Sequence, residues 1–206
     1  YLSVGEHNLT TLSAGGQEWQ CNWANNYCNA YDTVVTSVGP DGEVSWIKQI
    51  WAENSSARMD SYMQLLVNDA GVVITDTFSQ RTLNFGGPTP DFTIHNPHAA
   101  SSQSGWTYPY SNTKERYWAS IDSEGEWEWV VEQEMGVQGT SQLHMASHQS
   151  NVDADGNLYI LSHGHNSNVE EESIAGVDVS ADSSMFLIKV AEGGAGSTEG
   201  VLEFES

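Results

Sequence analysis

Apolar and polar residues alternate along most of the chain in runs of four to eight, interrupted by Asp-Gly, Glu-Gly or Ala-Gly. Period-two alternation is the pattern of a half-buried strand, and no stripe at i, i+3, i+4, i+7 competes with it. The chain is therefore expected to be all-β and built of antiparallel hairpins. The runs fall into two kinds. The first is "TVVTSVGPDGEVSWIKQI", "YWASIDSEGEWEWVVEQE" and, more loosely, "MFLIKVAEGGAGSTEGVLEFE". The second is "DSYMQLLVNDAGVVITDTFS" and "SHQSNVDADGNLYILSHGH". Aligning Gly42 with Gly125 sets Trp46 against Trp129, Val34 against Tyr117 and Val38 against Ile121, and the second kind aligns through Gly71 and Gly156. The first kind precedes the second by 29 residues in one copy and 31 in the other, so the pair recurs after 83 to 85 residues. An ordered hairpin pair that recurs is the mark of a repeat architecture in which each unit supplies about four strands. Each turn glycine supplies the positive φ that hairpin loops need. The Trp four positions beyond it is placed to fill the space between units.

The order "DTVVTSVGPDGEVSW", then a variable stretch, then "LLVNDAGVVITD" resembles the bacterial and archaeal β-propeller repeats called SBBP-type. "NVDADGNLYILSHG" is the best match and "ERYWASIDSEGEWEW" the next, over about residues 32–80 and 115–193. The resemblance implies propeller-like blades and extracellular residence, and implies no catalytic activity. Propellers carry about four to eight blades, whereas this chain encodes two and parts of a third, so a β-trefoil or another β-sandwich-like repeat fold stays open. The expected organisation is one domain, 1–206. Insertion loops are expected at about 80–114, where four of the five prolines fall, and at 164–182.

Charge narrows the partners. Six Lys plus Arg stand against 28 Asp plus Glu, a formal net charge of -22. Nucleic acids and anionic lipids are bound through Lys and Arg that displace counterions, so neither is expected as a partner. No apolar run reaches the 18 or so residues of a membrane span, and the chain opens without the profile of a signal peptide. An acidic, Lys-poor surface suits salty water, where screening shortens self-repulsion to roughly 3–8 Å. The expected setting is extracellular or on the surface of a marine or halophilic microbe. The two cysteines, Cys21 and Cys28 in "CNWANNYCN", lack zinc-ligand spacing and are expected to form a disulfide. The sequons at Asn8 and Asn54 are candidate glycosylation sites.

Candidate chemistry is concentrated in the histidines, six of which form close pairs: His95 and His98, His144 and His148, His163 and His165. Imidazole is the commonest metal ligand. A turn flanked by Asp153 and Asn157 pairs residues whose numbers sum to 310. This gathers His144, His148, His163 and His165 at one hairpin end as a candidate site for a divalent transition metal, with the solvent-facing hairpin end as the alternative. "DADG" departs from a calcium loop, because its glycine comes early and no Glu follows at the twelfth position, so it is expected to be a hairpin turn. Glu170, Glu171, Glu172, Asp178 and Asp182 are weaker calcium candidates in an acidic loop. Trp106, Tyr108 and Tyr110 in "SGWTYPYSN" form a candidate platform for a glycan or a protein partner. No nucleophile elbow, H-E-x-x-H helix or phosphate loop is present.

These features support a non-catalytic extracellular β-repeat protein acting as a surface, adhesion or self-assembling structural subunit, with no certain cofactor. A lectin-like glycan binder and a metal-binding protein or metal-dependent enzyme are the alternatives. The start "YLSVGEHNLTTLS" has no evident partner in its own unit and "EGVLEFES" reads as a strand. Open strand edges call for cover. Pairing between these segments, or with another copy of the chain, is therefore expected.

Overall fold

The computed structural model describes residues 2–3, 11–14, 17–20, 33–52, 63–78, 82–86, 90–96, 115–135, 149–163, 172–179, 184–191 and 193–203. Among these, every regular element is a strand. In chain order they are β1 (Leu2–Ser3), β2 (Thr11–Ala14), β3 (Gln17–Gln20), β4 (Thr33–Val38), β5 (Val44–Trp51), β6 (Gln64–Val67), β7 (Gly71–Phe78), β8 (Thr82–Gly86) and β9 (Pro90–His95). They continue with β10 (Glu115–Asp122), β11 (Trp127–Met135), β12 (Gln149–Val152), β13 (Leu158–His163), β14 (Glu172–Ile174), β15 (Val177–Asp178), β16 (Ser184–Val190) and β17 (Gly196–Glu203). All described pairings are antiparallel, as hairpin connections require.

The turns form as their sequences dictate. Gly39–Glu43, Asp122–Glu126, Asp153–Asn157 and Ala191–Ala195 share one hydrogen-bond pattern: the first N–H reaches the fifth carbonyl and the glycine N–H reaches the first carbonyl. This is a tight turn closed by a left-handed residue. Gly42, Gly125, Gly156 and Gly194 fill that position with φ from +80° to +91°. Asp122 and Asp153 fasten the loop from within. Each Oδ1 accepts two backbone N–H groups, from Glu124 and Glu126 and from Asp155 and Asn157 respectively. The "DADG" segment is thus the hairpin turn expected, and Gln149↔Leu161 through Val152↔Leu158 follow the expected sum of 310.

How the hairpins join differs from the sequence expectation in three ways. A first-kind hairpin does not share a sheet with the second-kind hairpin that follows it. Instead β6–β7 joins β10–β11, along Gly71↔Asp122 to Phe78↔Glu115, and β12–β13 joins β16–β17. Secondly, the segments expected to be insertion loops each contain a third kind of hairpin, β8–β9 and β14–β15, and both reach back to the preceding sheet. They join at equivalent positions, Ile50↔Phe85 and Gln133↔Ile174. Thirdly, the start of the chain has a partner, since Leu2 pairs with Val34. The first sheet therefore runs β1-β4-β5-β8-β9, the second β6-β7-β10-β11-β14-β15, and the third β12-β13-β16-β17, with β2–β3 as a separate ribbon.

The three sheets stack face to face. One core lies between the first and second, where Val35, Ile50, Leu83, Phe85 and Ile94 meet Ile74, Tyr117, Ala119, Ile121 and Trp127. Phe85 packs edge-on against both Tyr117 and Trp127, at 5.3 Å each, so β8–β9 seals this core. A second core lies between the second and third sheets, where Val73, Trp118, Trp129, Val131 and Ile174 meet Leu158, Ile160, Phe186, Ile188 and Val190. The middle sheet is apolar on both faces, so its strands lose the simple alternation of one-sided sheets. Trp127 and Trp129 would share a face in a regular strand. A register shift between Ser120 and Ile121 sets Trp127 opposite Ile121 and Trp129 opposite Ser120, sending the two indoles into different cores. The first sheet shifts at the matching place, between Ser37 and Val38. Trp46 and Trp129 each cover the turn glycine of the next first-kind hairpin: a Cβ on Gly125 would lie 2.9 Å from Trp46 Cβ, and one on Gly194 3.1 Å from Trp129 Cβ.

Candidate functional site

Two features stand apart from apolar packing: a buried polar layer at the end of the second sheet away from its glycine turns, and the outer faces of the stack. The polar layer holds Thr75, Asp76 and Thr77 on β7 and Glu115 and Arg116 on β10, all buried, with Glu132 half-buried on β11. Cross-strand register creates it, with Asp76 opposite Tyr117, Thr77 opposite Arg116 and Tyr117 opposite Glu132. Asp76 Oδ1 accepts the Thr77 N–H at 2.7 Å. Burial pushes the Arg116 guanidinium below its usual pKa, and the Asp76 charge opposes that shift. Glu132 is pushed up to about 7, first by burial and then by the Glu134 carboxylate, against the His95 amide that donates to it.

Glu132 is thus a proton-binding group poised near neutrality, at the junction where β9 of the first sheet lies against β11 of the second. A carboxyl whose folded pKa is raised stabilises the fold below its ordinary pKa near 4.5, and that contribution is lost as pH rises through about 7. Glu132→Gln should therefore stabilise the protein at pH 8, by about 1–2 kcal/mol after allowing for solvent screening, and flatten the pH dependence of urea unfolding between roughly pH 5 and 8. Parallel curves for variant and parent across that range would exclude the role.

The outer faces are read through the repeat. Val38 is 58% exposed, whereas Ile121 and Val190, at the equivalent turn-flanking positions, are fully buried against a preceding sheet. Leu187 is 38% exposed, whereas its equivalent Trp118 is fully buried against a following sheet. Both apolar side chains sit where the internal repeat buries its own. Contacts between sheets elsewhere show what such a junction uses. Asn68 Nδ2 donates to the Asp153 carbonyl at 2.6 Å between successive second-kind turns, and Lys48 Nζ lies 3.4 Å from Glu126 Oε1 between successive first-kind hairpins.

Of the residues singled out from sequence, most lie outside the described residues: Asn8, Cys21, Cys28, Asn54, His98, Trp106, Tyr108, Tyr110, His144, His148, His165, Glu170, Glu171 and Asp182. The backbone of His163 pairs with Met185 at the end of β13. His95 is exposed on β9, its Nδ1 3.5 Å from Thr82 Oγ1. Glu172 lies on β14, and Asp178 is exposed on β15. Among the described residues no group of three or more His, Cys, Asp or Glu is placed to hold a metal. Glu132 and its polar neighbours were not singled out from sequence. The available signal was Gln49, a polar residue at the position 83 residues earlier, which the structure buries. No family model, no curated protein and no solved structure matches this chain.

Proposed function

We propose that the protein is a non-catalytic structural subunit of an extracellular assembly, whose copies stack through the two outer faces of the three-sheet array. The observation that carries this reading is the exposure of Val38 and Leu187 at the positions where the internal repeat buries Ile121 and Trp118. Stacked sheets that each pack on the next are also what propeller-like blades resembling the SBBP-type repeats would supply. The charge of -22 fits a protein that meets its own copies in salty water. Acidic copies repel one another across ~30 Å at 0.01 M salt and only ~3 Å at 1 M, so assembly should strengthen with ionic strength.

Native mass measured across protein concentration at low and high salt tests the reading. Particles of several chains that grow with both variables are expected. A single chain mass at every concentration and salt level would remove the proposal.

A further inference from the structure

Written as hairpins, the chain repeats one order throughout: second kind, third kind, first kind. β6–β7, β8–β9 and β10–β11 make one turn of the cycle, and β12–β13, β14–β15 and β16–β17 the next. A third-kind hairpin makes two connections each time. Its first strand hydrogen-bonds to the outer strand of a first-kind hairpin, as β8 does to β5 and β14 to β11. Its second strand lies against the second strand of the next first-kind hairpin, as β9 does against β11 and β15 against β17.

The ribbon β2–β3 occupies the third-kind place in this order, immediately before the first-kind hairpin β4–β5. It makes the second connection, because β3 lies against β5. It lacks the first: among the described residues β2 pairs with β3 alone. At the other end of the stack β17, the second strand of a first-kind hairpin, has β16 as its one hydrogen-bonded neighbour among the described residues. Among the described residues, a hairpin that lacks this sheet connection and a first-kind strand that lacks this hairpin are complementary halves of a junction that the molecule builds twice internally.

We infer that β2–β3 of one copy adds to β17 of another, so that the third-kind hairpin is donated between copies. The inference rests on the self-assembly reading and specifies its chemistry as strand addition in which β2 runs antiparallel to β17. Register follows from the repeat. Leu202 stands opposite Met185 as Ile50 stands opposite Thr33, so Leu202 is the equivalent of Ile50 and Gln133. On the hairpin side, β14 and β15 are joined by two residues between Ile174 and Val177, and β2 and β3 by two residues between Ala14 and Gln17, making Ala14 the equivalent of Ile174. Ala14 of one copy therefore stands opposite Leu202 of the next. The same step would bring the Val38 face onto the Leu187 face, covering both exposed side chains. Each copy donates at one end and accepts at the other, so the contact is heterologous and generates a ring or a filament.

Directly opposed antiparallel residues have Cα atoms about 4.5–5.5 Å apart, within the roughly 4.4–6.8 Å that a disulfide spans. The A14C/L202C variant of this chain, oxidised under assembling conditions, should give chains cross-linked in series, with peptide mapping locating the bond between positions 14 and 202 of different chains. Pairing of Ala14→Cys with a Cys placed at Gly200 should be much slower. A second measurement uses the unmodified protein. Amide hydrogen exchange at residues 12–14 and 200–203 should slow on assembly, reversibly with dilution. Assembly without the 14–202 bond and without protection at both segments would overturn hairpin donation while leaving self-assembly standing. A bond formed only within one chain would show that the two segments close on each other and would also overturn it. A protein that stays at one chain mass throughout removes this inference together with the reading on which it rests.

Discussion

Trp118→Ala should lower the free energy of unfolding by about 3–5 kcal/mol, the range for deleting a fully buried aromatic side chain. Trp118 has no solvent exposure and lies in the second core with Trp129, Val131, Leu158 and Ile160. Its indole N–H also donates to Ser150 Oγ at 2.8 Å, on β12 of the neighbouring sheet. The side chain therefore joins two sheets by area and by a hydrogen bond. Trp118→Phe should retain most of the area and lose the bond, which is worth about 0.5–1.5 kcal/mol. Urea unfolding of the two variants separates the contributions. A Trp118→Ala loss under about 1 kcal/mol would mean that the second and third sheets do not pack across this residue.

What could be read beforehand was local. A turn glycine with its flanking alternation contains nearly all the information needed to form a hairpin, because the pairing residues are near neighbours in sequence. This is why the turns at Gly42, Gly125 and Gly156 and the sum of 310 around Asp153 followed from the residues alone. Which hairpin joins which is a non-local choice. β7 pairs with β10 across residues 79–114, and nothing in either strand names the other, so the half-unit offset between sequence repeat and sheet was not legible. The third-kind hairpins were hidden for a different reason. Prolines argue against central strands, yet Pro90 opens β9 at the margin of its sheet, where a missing N–H breaks no ladder. The turn at Ala175 and Gly176 has positive φ at both residues, +51° and +77°, but an Ala there lacks the usual Asn or Asp signal.

The polar layer was illegible because it depends on stacking. Glu132 lies on a strand whose alternation is already disturbed upstream by the register shift near Ser120, so parity from Trp127 misplaces everything beyond it. Only when β9 is laid over β11 does a glutamate in "WVVEQEM" become a half-buried carboxyl beside another. The outer faces carry the same lesson. Val38 and Leu187 are ordinary strand residues until the repeat identifies them with Ile121 and Trp118, and only then does their exposure carry information.

Gly125→Ala should destabilise the protein far more than Gly42→Ala, although the two glycines close identical turns. Both have left-handed φ, +91° and +84°, so both substitutions carry the cost of placing a Cβ there, about 1–2 kcal/mol. Around Gly42 the added methyl meets nothing within 4 Å. At Gly125 it meets Trp46, 2.9 Å from Cβ and closer still to Cγ and Cδ1. These are the root of the side chain, so a change of rotamer moves them little. Relief requires the first and second sheets to separate or Trp46 to leave its seat, adding about 1–3 kcal/mol in the manner of overpacking. Combining Gly125→Ala with Trp46→Ala removes the clash, so the double variant should be more stable than the sum of its single changes by about that amount. Four denaturant curves measure this coupling. Equal losses at Gly42 and Gly125, with additive effects in the double variant, would show that Trp46 does not rest on the following turn and that the sheets do not stack in the repeat described.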